Sequence, residues 1–327
     1  MRTVEIKCDS WPISGGFRIA RGAKSVAKTL TVTIRQGDHA GRGECVPYGR
    51  YGESVASVRA QIEALRGAIE GGLSRAALQD ALPAGAARNA LDCALWDLQA
   101  KQSGVPVWQR AGLSPPQAVH TALTIALQRP EIMAAKARAA RGFTHLKIKL
   151  AGDGADKMRL RAIAAARADA ALIVDANEGL DRAALEKLLP EMAALGVILV
   201  EQPLPAGKDD ALAGMNAPVP LCADESAHIA ADLERLAALY GAVNIKLDKT
   251  GGLTQALIMV REAKARGLNI MLGCMVCTSL GIAPMLMLAA QADVIDLDGP
   301  LLLECDRETG LAYSGARIAP PKAALWG

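Results

Sequence analysis

From about residue 116 onward, short apolar runs alternate with amphipathic stretches of roughly ten to fifteen residues. Runs at 119–125, 145–149, 172–175, 197–201, 221–224, 243–247, 269–273 and 294–298 read as eight strands. Helical spacing of apolar positions fills 130–141, 157–168, 182–195, 231–240 and 253–266 between them. Eight strands alternating with helices predict a closed parallel barrel rather than an open sheet. No Gly-x-Gly-x-x-Gly follows the first strand, so a dinucleotide fold is not expected.

The region before residue 116 has a different texture. Positions 30–34 alternate as an antiparallel strand, Gly37-Asp38 makes a turn, and 41–45 resumes the pattern. Helices are expected at 54–69 and 86–102. The second follows Pro83 and Gly85 and stops before Gly104-Val-Pro106. Ala90, Leu91, Ala94, Leu95 and Leu98 share one apolar stripe on it, and the alanines imply close packing. The chain after about 300 has little pattern of its own and is expected to return to the first lobe. The domains expected are 1–115, 116–300 and 301–327.

Composition narrows the function classes. With 51% hydrophobic residues among 327, the chain can bury one large core and a smaller lobe. Charge is nearly balanced, at +3, and aromatics make up only 3% with no basic run, which argues against nucleic-acid binding. No apolar run reaches a membrane span, and the longest candidate, near 280–290, is interrupted by Pro284. No signal peptide is read at Met1-Arg2-Thr3-Val4-Glu5, and the cytoplasm is the expected compartment. Seven cysteines, an odd number, give no disulfide framework. Cys274-Met-Val-Cys277 has metal-site spacing but no second pair, so packing thiols are expected.

The chemistry gathers at the strand ends. Lys147 and Lys149 lie one residue apart in an otherwise apolar strand, so both share a face. Apolar Leu146, Ile148 and Leu150 argue against a solvated edge, and buried ammonium groups need partners. Later strands end in Asp175-Ala-Asn177, Glu201-Gln202-Pro203, Asp224-Glu225-Ser226, Asn244-Ile-Lys246 and Asp296-Leu-Asp298. In a barrel these ends converge on one face, where active sites lie. One βα unit separates each of Asp175, Glu201 and Asp224 from the next, which predicts three acids at one level on adjacent strands. Each acid could instead cap the next helix. Three in succession favour an all-oxygen site for Mg²⁺. Lys246 would stand across the ring from Lys147 and Lys149. Neighbouring cations and a nearby Mg²⁺ would lower a lysine's affinity for its proton and make it a base. Two lysines on opposite faces of a substrate would epimerise it.

These residues resemble the enolase superfamily, muconate-lactonising subgroup. The likeness runs through Gly43-Glu44-Cys45, the segment from Ala87 to Asp97, Lys-x-Lys, Asp-Ala-Asn, Glu-Gln-Pro, Ala-Asp-Glu-Ser and the stretch from Asn244 to Gly252. Such a resemblance implies a (β/α)7β TIM-type barrel under an N-terminal α+β capping domain. It implies acid/base roles for Lys149 and Lys246, enolate support from Lys147, and Mg²⁺ ligation by Asp175, Glu201 and Asp224. Within the subgroup, Asp296 and Asp298 make the chain most similar to dipeptide epimerases, where this pair holds the substrate ammonium. The implied activity interconverts L-Ala-D-Glu and L-Ala-L-Glu, in murein peptide recycling. A flexible loop near 17–26 is expected to close over the site, with Arg21, or in its place Lys24, meeting the substrate side chain. Thr124 completes the substrate-binding candidates. Muconate cycloisomerisation, o-succinylbenzoate synthesis, an epimerase of other specificity and an inactive scaffold remain as alternatives. The partner expected is a small dipeptide, with a homo-oligomer left open. The tryptophan usual soon after Asp-x-Asn is Leu180 here.

Overall fold

The computed structural model describes residues 1–327. Its first three strands, β1 (Arg2–Ile19), β2 (Gly22–Gln36) and β3 (His39–Cys45), form an antiparallel sheet in chain order. Four helices follow: α1 (Val55–Ala64), α2 (Arg66–Glu70), α3 (Arg75–Ala81) and α4 (Ala86–Ser103). Ser54 caps α1 by accepting from the Ser57 amide, which satisfies one of the free donors of the first turn. The single helix expected at 54–69 is thus two, broken at Leu65. At the break, Arg66 reaches back to donate to the Val4 carbonyl at 2.7 Å. Helix α4 lies directly on the sheet because β3 has glycines where the two meet. A Cβ on Gly43 would run into the Ala90 carbonyl, and one on Gly41 into that of Ala94.

The strand expected at 119–125 is also two pieces. β4 (Val119–His120) pairs antiparallel with β14 (Arg317–Ile318), which pairs with β13 (Tyr313–Ser314). β5 (Leu123–Ile125) opens the barrel. There follow β6 (His145–Lys149), β7 (Ala171–Asp175), β8 (Val197–Glu201), β9 (Leu221–Ala223), β10 (Ala242–Ile245), β11 (Asn269–Gly273) and β12 (Val294–Asp296), all parallel. The ring nearly closes. At the seam the Ala122 amide donates to the Ile295 carbonyl, and the Leu297 amide to Thr121 Oγ1.

Helices follow β5, β6, β7 and β10 as the pattern predicts. The helix expected at 231–240 shrinks to Asp232–Leu236, and between β8 and β9 there is only a 3-10 turn, Asp209–Leu212. Pro203, Pro205, Pro218 and Pro220 deny that connection a helix.

Inside the barrel the two-residue period sorts the chemistry. Ala122, Ile173, Leu199, Cys222, Ala242 and Met271 form an apolar floor. Two positions further along the same strands stand Thr124, Asp175, Glu201, Asp224 and Asn244. Outward positions such as Leu146, Ile148, Leu172, Val174 and Val200 enter the core shared with the helices. Residues near 326 pack on the first lobe. Trp326 is buried and donates to the Cys93 carbonyl on α4, while Arg42 donates to the carbonyls of Ala324 and Leu325. No helix is long and apolar enough to cross a membrane.

Candidate active site

A cavity of about 660 Å³ lies between the barrel mouth and the cap. Lys147, Lys149, Asp224, Lys246, Asp296, Asp298 and Thr124 line it from the barrel, and Arg21 and Lys24 from the cap. β6 and β10 are four strands apart in the sheet, so Lys149 and Lys246 approach the cavity from opposite sides.

Backbone register pairs Lys149 with Asp175 and Asp175 with Glu201. Glu201, however, pairs with Cys222, so Asp224 stands two residues further on. The three acids lie on adjacent strands, and this offset in register is the stagger that tilted barrel strands carry.

Every ammonium in the mouth has a carboxylate. Lys149 Nζ lies 2.5 Å from Asp175 Oδ2. Lys147 is buried within 3.2 Å of Asp175, 2.6 Å of Glu201 and 2.8 Å of Asp296. Lys246 lies 2.5 Å from Asp224 and 3.9 Å from Glu201. These carboxylates decide the state of Lys246 and Lys147. Burial lowers Lys246, but Asp224 and Glu201 outweigh it and lift it well above the ordinary lysine value. Lys147 is raised in the same way, against burial, by Asp296, Glu201 and Asp175. The weakened lysine is Lys249, which burial lowers despite Asp224.

Two acids are raised by burial. Burial, reinforced by Asp175, pushes Glu201 up to about 8. Burial, reinforced by Asp296, pushes Asp298 up to about 7, although the Thr124 amide donates to its Oδ2 at 2.6 Å. Glu201 Oε2 lies close to Lys147 yet accepts no hydrogen bond, and Asp296 Oδ1 also accepts none.

The acids do not stand as a finished ligand group, because each has turned to a lysine. The donor set nevertheless fits a hard dication. Asp175, Glu201 and Asp224 offer only oxygen, and Glu201 carries a buried oxygen without a hydrogen bond. Asn244 donates to Glu201 Oε1 at 2.8 Å and fixes its orientation.

Residues 17–26, expected to close over the site as a flexible loop, form the tip of the β1–β2 hairpin, with Ile19 paired to Gly22. Arg21 at this tip is fully engaged. Its Nη1 donates to the Asn177 carbonyl at 2.7 Å and to Glu178 Oε2 at 2.9 Å, and its Nη2 lies 2.6 Å from Glu225 Oε1. Lys24 has its ammonium 4.7 Å from the centre of the Tyr48 ring and forms no ion pair.

Several residues escaped the sequence reading. Lys249 donates to Asp224 Oδ1 at 2.6 Å and to the Asn244 carbonyl at 2.9 Å. Its only signal was its place in the stretch from Asn244 to Gly252. Asp248, Asn89, Glu178 and Arg50 act through contacts 128 to 159 positions away, as in Asn89 to Asp248 and Arg50 to Glu178, which strand periodicity does not reveal.

Comparison with known proteins gives a consistent picture. Residues 1–112 match the mandelate racemase / muconate lactonizing enzyme N-terminal domain, and residues 132–301 match the enolase C-terminal domain-like family. An L-Ala-D/L-Glu epimerase of Escherichia coli (strain K12) is 46% identical, covering 97% of this chain and 99% of its own. An N-acetyl-D-glutamate racemase of Pseudoalteromonas sp. is 44% identical, covering 91% of this chain and 95% of its own. Among solved structures, an enolase family member from Agrobacterium tumefaciens, with homology to dipeptide epimerases, superimposes with a TM-score of 0.98. It shares 49% identity over all of both chains, and holds sodium and L-Ala-L-Glu with an ordered loop.

Proposed function

From the premise that this chain belongs to the mandelate racemase / muconate lactonizing enzyme family of the enolase superfamily and is an isomerase, we propose that it epimerises dipeptides, interconverting L-Ala-D-Glu and L-Ala-L-Glu. The observation that carries this reading is the placement of Lys149 and Lys246 on opposite sides of one cavity, with Asp296 and Asp298 on its wall.

Lys149 and Lys246 exchange roles with the direction of reaction. One removes the α-proton of the glutamate residue, and the other returns a proton to the opposite face. Lys147, held charged by three carboxylates, stabilises the negative charge that develops on the substrate carboxylate. Mg²⁺, held by Asp175, Glu201 and Asp224, would supply further electrostatic stabilisation of that charge.

Asp296 and Asp298 receive the dipeptide ammonium, with Thr124 fixing Asp298. Arg21 has its charge spent on Glu178 and Glu225, so Lys24 is the better placed cation for the substrate's side-chain carboxylate. The reaction suits the recycling of murein peptides in the cytoplasm.

A dipeptide panel in deuterated water, read by mass, tests the proposal. Uptake of one deuterium at the glutamate α-carbon is expected with both diastereomers, dependent on Mg²⁺ and lost with EDTA. No uptake from any dipeptide would overturn it. A second reading is racemisation of an N-acylated glutamate, favoured by the engagement of Asp296 with Lys147 and of Asp298 with the Thr124 amide. Asp296→Asn and Asp298→Asn should then spare turnover of N-acetylglutamate, whereas in the epimerase both should raise KM for the dipeptide.

A further inference from the structure

The loop after β7 has an unusual backbone. Asn177 at φ +43° and Glu178 at φ +69° are consecutive non-glycine residues in the left-handed region, an arrangement that costs on the order of 1 kcal/mol at each position. Strain of this kind persists where something holds it, and the Glu178 side chain shows what does.

All four bonding directions of the Glu178 carboxylate are used. Its Oε1 accepts from Arg50 Nη2 at 2.6 Å and from the Ala206 amide at 2.8 Å. Its Oε2 accepts from Arg50 Nε at 2.7 Å and from Arg21 Nη1 at 2.9 Å. Arg21 comes from the hairpin tip, and Arg50 from the Gly49–Tyr51 turn of the cap. The side chain of Glu178 is only 7% exposed, while those of Arg21 and Arg50 are 25% and 38% exposed, so the carboxylate is buried beneath two arginines that reach it from the rim. Arg21 then continues to Glu225, whose side chain is 1% exposed, and to the Tyr48 hydroxyl at 3.2 Å.

We infer that Glu178 is the keeper of the hairpin tip: a positioning residue that clamps Arg21 and Arg50 together and so holds the cap's hairpin over the barrel mouth. Arg21 acts here as a bolt rather than as a reader of substrate. Only the purpose of closure rests on the epimerase reading; the clamp itself is a property of the protein alone.

Trypsin must seize an arginine side chain to cut after it, so cleavage between Arg21 and Gly22 competes directly with the clamp. The test is limited trypsin digestion of the full-length protein without substrate, with cleavage sites assigned by mass. Glu178→Gln keeps the shape and the bond from Ala206 but removes the charge. It should speed cleavage after Arg21 about tenfold, the scale of one charge-assisted hydrogen bond. Arg50→Gln, on the rim, should give a smaller acceleration, because Arg21 keeps its pairs with both Glu178 and Glu225. Hydrogen exchange across 17–24 should rise in the same order. Where turnover is measurable, Glu178→Gln should raise KM more than it lowers kcat, and should add nothing in an Arg21→Gln background. Wild-type cleavage and exchange in both single variants, each with a native near-UV spectrum, would overturn the inference, whatever the substrate proves to be.

Discussion

In the proposed reaction Lys149 and Lys246 serve opposite faces of one carbon, so their loss should not look alike. Lys149→Met and Lys246→Met should each reduce epimerisation by roughly 10²–10⁴-fold, the usual worth of a positioned acid or base. Each should still exchange the α-hydrogen of one diastereomer in deuterated water, because the surviving lysine can remove and replace it on its own side. The two variants should prefer opposite diastereomers, and matching preferences would refute the assignment. At this scale the sequence was informative wherever a residue sits on a strand, as with Lys147 and Glu201, because alternation dictates facing. It was silent about Lys249 and Glu178. Both lie beyond a strand end, where only folded geometry brings a partner within reach.

Helix α4 shows what an element contributes. One face of it docks on the turn that carries Lys246: Arg88 donates to the Thr250 carbonyl, Asn89 to Asp248, and the Thr254 amide to Asp92. Its other side rests on β3 through Gly41 and Gly43. Gly43→Ala would drive a methyl into the Ala90 carbonyl, so urea unfolding should reveal a loss of about 1–3 kcal/mol. Asp248 adds a dependence on pH. Burial, reinforced by Glu53 and Glu44, raises it to about 7, so folding takes up a proton between its ordinary value and about 7. Stability from this group is present at low pH and lost as pH rises through the folded value. Asp248→Asn keeps both bonds that Oδ1 accepts, from the Val46 amide and from Asn89. It should flatten the decline in stability between pH 5 and pH 8 by ~2–3 kcal/mol, read as urea midpoints. Element identity was legible for β6, β8 and β11, where apolar runs are bounded by breakers. It failed where one run serves two sheets, as at Val119 and Leu123.

Across the whole molecule, the barrel supplies the acids and bases, while the cap supplies the roof and the hold on Lys246. Trp326 ties the two ends of the chain together by seating against α4. Trp326→Ala should cost about 3–5 kcal/mol, and the cap's near-UV signal should be lost at lower urea than the barrel's far-UV signal. A domain division was readable from texture alone, since alternation of strand and helix begins near 116. The seat of Trp326 was not, because a single aromatic carries no period. That seat has a temporal consequence. Trp326 bonds to a carbonyl 233 positions earlier. During synthesis the cap is made before the barrel, yet its groove on α4 stays unfilled until the barrel's residues have been made as well. A nascent chain of this protein therefore carries an unfinished first lobe throughout the making of its barrel, and depends on that lobe waiting without misassembly.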